Sequence, residues 1–266
     1  MKIEPLITKD LNHLALLQPD GWPDIKPGLQ FYLSNNFCHV IKIGSQTRIM
    51  GIGAGIVFGR TAWLAHIIVD KEFRGKGLAH KIVAYLLEKL RAFRCESISL
   101  IATDMGYPIY EQSGFQKQTD YVFLKRETPL SPGDEPENII AFSDPHYKEV
   151  LKLDHAISGE DRSRILIGKL GTAFLYRENS NTIGIYLPDL GEGMIIASNT
   201  RAGIELMKKK YATVDKAVLP VENKAGIQFL MENGFTETLR AARMIWGKPF
   251  AWQPENIYSR IAGKLG

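Results

Sequence analysis

Apolar and polar positions alternate from Lys2 to Thr8, the period of a half-buried strand. Thr8 stands where a cap would open a helix over "KDLNHLALLQ". A turn-rich connector with three prolines, "PDGWPDIKPG", leads to a short second helix, "LQFYLSNNF". Three β-rich runs follow, "FCHVIKIG", "RIMGIGAGIVFG" and "TAWLAHIIVD", joined by short polar connections that predict an antiparallel meander. From Leu78 to Leu90 the period changes. Leu78, Ile82, Val83, Leu86, Leu87 and Leu90 keep helical spacing. "ESISLIAT" reads as a strand, "MGYPIYEQSGF" as a short helix closed by Gly114, and "YVFLKRE" as a strand.

"TPLSPGDEPEN" (residues 128–138) has no periodicity and is rich in proline and acidic residues, so it reads as an interdomain linker. After it the same grammar restarts. "SDPHYKEVLKLDHAI", "GEDRSRILIGKL", "TRAGIELMKKKY" and "KAGIQFLMENGF" predict helices, and "GTAFLYREN", "TIGIYLPD", "EGMIIAS", "KAVLPV" and "ARMIWG" predict strands. "IYEQSGF" and "FLMENGF" sit at matching places, the sign of a diverged internal repeat. The expected organisation is a first domain over 1–127, a linker over 128–138 and a second domain over 139–266. The fold class is α/β, an α+β mixed sheet in each of two tandem domains.

Composition narrows the function classes. Over 266 residues, 45% are hydrophobic and 23% charged, which is globular and not disordered. A net charge of +4 is too mild to imply nucleic acid. The two cysteines, Cys38 and Cys95, fit neither a metal site nor a disulfide framework. The N-terminal stretch lacks a signal-peptide core, and no apolar run approaches a membrane span. These features predict a soluble protein of the cytoplasm.

The chemistry concentrates at "VDKEFRGKGLAHKIVAYLLEKL" (Val69–Leu90). A strand ending near Asp70, a glycine loop and a helix start make a concave patch of unpaired N–H groups with partial positive charge. Gly75 and Gly77 let backbone approach a bulky anion, and Arg74 and Lys76 add full charges, which together describe a phosphate cradle. The alternative for the tetrapeptide alone is a helix start with exposed basic residues. Neither better-known phosphate motif is present. No G-x-x-x-x-G-K-[ST] occurs, and "GIGAGIVFG" puts Ile56 where a dinucleotide fingerprint needs glycine. That run reads instead as a core strand whose small residues allow close packing.

The element order, with Val69–Ala79 as the glycine motif and Tyr110-Glu-Gln-Ser-Gly-Phe115 near the end, resembles the Gcn5-related N-acetyltransferase (GNAT) family. The resemblance covers residues 1–127 well. Residues 139–266 resemble a degenerate second copy. It implies that acetyl-CoA is the cofactor, with its pyrophosphate on Arg74, Gly75, Lys76, Gly77, Leu78 and Ala79. Its pantetheine arm would pair with Ile67, Ile68 and Val69, and a backbone N–H there would polarise the thioester carbonyl. Tyr110 matches the family's usual general acid, which protonates the departing thiolate. The general base is open, since Trp63, Leu64, Ala65 and His66 stand where many members carry a glutamate. His66 has a suitable intrinsic pKa. Asp104 is a second candidate, or else a helix cap.

The second half departs from the pattern. Ser198–Gly203 keeps a single glycine, and Leu230 replaces the tyrosine. This half is expected to bind no acyl-CoA and to wall the substrate cleft. Asp154, Glu160, Asp161 and Arg162 would either charge that cleft or sit as solvated helix ends. Lys208-Lys209-Lys210 ends a helix where cations suit the dipole.

The expectation is an N-acetyltransferase that acts on a primary amine of a small molecule by direct attack in a ternary complex. No metal and no membrane are implied. A homodimer is compatible with this reading. The rivals are a non-catalytic acyl-CoA sensor and a protein or peptide acetyltransferase. A tRNA or ribosome modifier would need a contiguous basic face, which the dispersed charge does not show.

Overall fold

The computed structural model describes residues 1–45, 48–131 and 136–266. The chain packs as two units, Met1–Lys117 with Met244–Pro249, and Gln118–Arg243 with Phe250–Gly266.

The first unit opens with β1 (Lys2–Pro5). The helix expected next is two 3-10 turns, Thr8–His13 and Ala15–Leu17. Thr8 is not the cap. The Ile7 N–H is held by Asp10 at 2.8 Å, and Lys42 pairs with the same carboxylate at 2.6 Å. Then come α1 (Lys26–Leu33), β2 (Cys38–Gly44), β3 (Ile49–Phe58), β4 (Thr61–Val69), α2 (Leu78–Ala92), β5 (Ser97–Ala102) and α3 (Tyr107–Gln112). Strands β2, β3 and β4 form the predicted antiparallel meander, β1 adds to it antiparallel to β2, and β4 pairs β5 in parallel, so the sheet is mixed.

Glycines on β3 set the helix–sheet distance. A methyl group at Gly53 would fall 2.5 Å from Ile82, and one at Gly55 would fall 3.0 Å from Leu90. The apolar face of α2 can therefore lie down on β3, and all six of its periodic residues are buried. Each contributes about 2 kcal/mol of burial.

Strand β6 (Gln116–Lys125) starts in the first unit, and from Gln118 it belongs to the second. The division thus falls at Lys117, not at the proline-rich stretch over 128–138. Part of that stretch, 132–135, lies outside the described residues. In place of β6, Met244–Pro249 completes the first unit. Lys248 donates to the Glu96 carbonyl at 2.9 Å, and the Arg91 guanidinium sits 5.7 Å from the Trp246 ring.

The second unit repeats the order of the first. It runs β7 (Ile139–Ala141), α4 (Tyr147–Ser158), α5 (Ser163–Leu166), β8 (Phe174–Glu178), β9 (Asn181–Leu187), β10 (Met194–Ala197), α6 (Thr200–Tyr211), β11 (Lys216–Pro220), α7 (Lys224–Glu232), β12 (Thr236–Gly247), whose residues from Met244 belong to the first unit, and β13 (Ile257–Ser259). Strands β13-β10-β9-β8-β7 form one sheet, and β11 pairs β6 in register from Lys216↔Lys125 to Pro220↔Tyr121. A core of Leu206, Met207, Tyr211, Leu219, Leu230 and Phe235 fills the space under α6 and α7. Strands β7 and β13 are three residues each, too short for periodicity to reveal.

Candidate active site

Strand β4 ends at Val69, and the next turn is tied down before the glycines begin. Asp70 accepts the Glu72 N–H at 3.1 Å and caps a 3-10 turn over Lys71–Phe73. Arg48 reaches both Asp70, at 2.6 Å, and Glu72, at 2.8 Å. Burial pushes the Asp70 carboxyl up, but the Glu72 N–H and Arg48 outweigh it and hold the group below its usual range. Arg48 and Lys76 both lie against Phe73, at 4.8 and 4.7 Å from the ring centre. The Arg74 side chain turns back to the Val69 carbonyl at 3.3 Å.

Beyond this turn the backbone opens. Gly75 and Gly77 have φ of +73° and +74°, and a Cβ at either would meet nothing within 4 Å. Glycine is required there for its conformation, and the space above it is free for a ligand. Gly77 is the N-cap of α2, so unpaired N–H groups of the first turn face that space. A diphosphate fits this combination of open backbone, helix N-terminus and flanking Arg74 and Lys76.

Strands β4 and β5 pair only over Thr61↔Ser97, Ala62↔Ile98 and Trp63↔Ser99. Beyond Trp63 they part, while β4 continues against β3 to Val69. Ile67, Ile68 and Val69 therefore present a strand edge that β5 does not cover. A bulge lies in the same stretch. Ala65 faces Ala54 and Ile68 faces Ile52, so His66 and Ile67 share the place opposite Gly53.

His66 adopts φ +50°, a region that costs a non-glycine residue free energy. The Tyr32 hydroxyl lies 2.9 Å from its Nδ1. The rings of Tyr32 and Trp22 stand edge-on to the imidazole, with centroids at 5.5 and 6.3 Å. Trp22 belongs to the proline-rich connector, which Gln18 clamps. The Gln18 amide donates to the carbonyls of Pro19, Trp22 and Pro23 and accepts the Ile25 N–H.

Tyr110 is buried in α3, edge-on to Phe115 at 5.8 Å. A methyl group at Gly106 would fall 2.9 Å from its ring. Burial pushes its phenol well above the usual value, so it keeps its proton at neutral pH. His80 on the first turn of α2 meets Gln112 at 2.9 Å, which ties the helix bearing Tyr110 to the one that starts at the glycines. Asp104 is exposed on the turn before α3. It does not cap that helix. Gly106 stands at the cap, and in the turn before it the Thr103 hydroxyl accepts the Gly106 N–H at 3.2 Å. Among the described residues Asp104 shares no hydrogen bond or ion pair with His66 or Tyr110.

Of the residues singled out in the sequence, β4 and the loop bring together Ile67 to Val69 and Arg74 to Ala79. Tyr32, Trp22 and Arg48 were not foreseen. An aromatic in an amphipathic helix looks like core, and Arg48 sits in a hairpin far from the loop in sequence.

In the second unit the corresponding loop holds no such space. Asn199 caps α6 by accepting the Ala202 N–H at 2.9 Å. A methyl group at Gly203 would fall 2.2 Å from the ring of Tyr258, which fills the site. Tyr258 belongs to β13, and β13 pairs along β10, the counterpart of β4. The charged residues noted in this half are not solvated helix ends. Asp154, Glu160 and Arg162 are buried, with Arg162 paired to Asp154 through two hydrogen bonds, and Asp161 alone is exposed. Lys210 is buried as well. It donates to the carbonyls of Glu192 and Gly193 at 2.6 and 2.9 Å and to Ser259 at 2.6 Å.

The acetyltransferase (GNAT) family model matches residues 9–115. The uncharacterized N-acetyltransferase YitH of Bacillus subtilis is 24% identical over 272 residues, covering 95% of this chain and 94% of its own. A crystal structure from Pyrococcus horikoshii, provisionally assigned as an acetyltransferase, superposes with a TM-score of 0.84 at 19% identity over 100% of this chain and 95% of that one. A GCN5-related N-acetyltransferase from Sphaerobacter thermophilus does so with 0.66 at 12% identity, over 95% and 98%. The two-unit fold is thus shared along the whole chain. Residues 9–115 of this chain are thus similar in sequence to the GNAT family of acetyltransferases, and the whole chain is similar in fold to solved structures described as acetyltransferases.

Proposed function

We propose that this acetyltransferase transfers the acetyl group to the primary amine of a small molecule by direct attack within a ternary complex. The observation that carries the reading is the β4 edge, uncovered beyond Trp63, running directly into the open glycine loop. Acetyl-CoA supplies the acetyl thioester. Gly75, Gly77 and the first turn of α2 hold its diphosphate with Arg74 and Lys76, and the edge at Ile67 to Val69 pairs with its amides.

Three side-chain roles follow. Tyr110, kept neutral by burial, holds the proton that the departing thiolate needs. His66 accepts the proton that the ammonium of the substrate must lose. Trp22, edge-on to His66, makes an aromatic corner that suits one compact amine. Holding both reactants in one site supplies much of the rate.

The test is thiol release from acetyl-CoA with spermidine, glucosamine, 2-phenylethylamine and lysine, set beside peptides with free N-termini or lysine side chains. Turnover with a small amine, well above that with the peptides, is expected. Turnover with peptides alone would overturn the small-molecule reading. Binding of acetyl-CoA without turnover on any amine would favour the sensor.

A further inference from the structure

The base assigned to this site is held by a residue from another element. His66 occupies a strained backbone position at the β4 bulge, and its Nδ1 is 2.9 Å from the Tyr32 hydroxyl. Tyr32 lies on α1, is 0% exposed and packs its ring against the imidazole at 5.5 Å. A fully buried phenol so placed is a fixed point, whereas the histidine it touches is only half-buried.

We infer that Tyr32 is a positioning residue that fixes the ring of His66 and selects its Nδ1–H tautomer, so that Nε2 carries the lone pair for the substrate. The inference rests on the reading of His66 as the base. With Nδ1 engaged by Tyr32, proton exchange with an acceptor must pass through Nε2. For Nε2 to be the basic atom, the ring proton must sit on Nδ1, and that N–H needs an acceptor. The phenol oxygen supplies one. The step balances. The substrate N–H bond breaks with its electron pair left on the amine nitrogen, the proton binds at Nε2, and the Nδ1–H stays donated to Tyr32. A neutral orienting partner also differs from a carboxylate, because it orients the ring without adding a charge that would favour the imidazolium at rest. Burial keeps Tyr32 itself protonated and neutral.

The test uses the full chain with 15N-labelled histidine, as wild type, Tyr32→Phe and His66→Gln. The His66→Gln spectrum identifies the His66 signals by their loss. Wild type is expected to show the Nδ1–H tautomer, and Tyr32→Phe, which keeps the ring volume, to lose it. Kinetics on the most active amine of the panel above add a second readout. Tyr32→Phe is expected to lower kcat about 10-fold with the KM for acetyl-CoA unchanged, His66→Gln about 100-fold, and the double variant no further than His66→Gln. Wild-type kcat in His66→Gln would remove the base and leave the tautomer result standing. A slow His66→Gln beside a Tyr32→Phe of wild-type kcat and unchanged tautomer would overturn the role of Tyr32. The spectra decide by themselves if no amine of the panel turns over, and an Nε2–H tautomer in wild type would overturn the inference.

Discussion

Gly203 lies so close to the ring of Tyr258 that a Cβ on it would fall 2.2 Å from Cζ, whereas a Cβ on Gly77 would meet nothing within 4 Å. Two glycines at the starts of equivalent helices thus serve opposite purposes, one receiving a side chain of its own protein and the other leaving room. The chain should therefore bind one coenzyme A, not two. Titration calorimetry is expected to give a stoichiometry of one. Gly203→Ala should lower stability by about 2 kcal/mol through overpacking and leave the affinity unchanged. A second site of similar affinity would contradict this.

Gly77 allows a graded test. Gly77→Ala keeps the space but places a side chain at φ +74°, which should cost about 1 kcal/mol of stability and weaken binding modestly. Gly77→Asp adds a negative charge where the diphosphate belongs, and binding should fall by at least about 100-fold, or roughly 3 kcal/mol. Equal affinities for the two variants would show that the diphosphate lies elsewhere.

Tyr110→Phe removes only a hydroxyl from a buried ring. The affinity for acetyl-CoA is expected to stay near that of wild type while kcat falls by about 100-fold. A variant as fast as wild type would take Tyr110 out of the reaction.

Much of this was legible in the sequence because it is local. The face of α2 follows from its period, and the glycine loop follows from its position between a strand and that helix. What was not legible depends on distance. Ile7, not Thr8, stands at the cap, and its N–H is held by Asp10, whose carboxylate also reaches Lys42, a partner 32 residues away. Asp154, Glu160 and Arg162 look like surface charge until the fold shows two of them neutralising each other in the interior. The dyad of Tyr32 and His66 joins residues 34 apart on a helix and a strand, and no spacing rule brings them together.

Lys210 gives a pH signature. Burial pulls its ammonium down to about 8 from the usual 10.5, against the opposing charge of Glu192. Between these two values the unfolded chain holds the proton and the folded chain does not, so this group makes stability rise with pH across that window. Below it, both states are protonated and the burial penalty applies in full. Denaturant midpoints measured from pH 7.5 to 10.5 should climb more steeply for wild type than for Lys210→Met, by up to about 1.4 kcal/mol per pH unit. Parallel profiles would mean that the ammonium keeps its ordinary value in the folded protein.

The placement of Met244–Pro249 in the first unit bears on how the protein is made. A ribosome that has finished the glycine loop, α3 and β6 has still not produced the segment that lies along Glu96 and Ser97. The amino-terminal unit must therefore wait for residues 244–249 to be made before it can close. Cutting the gene in the middle would yield a fragment with a bare sheet border, prone to associate with other chains.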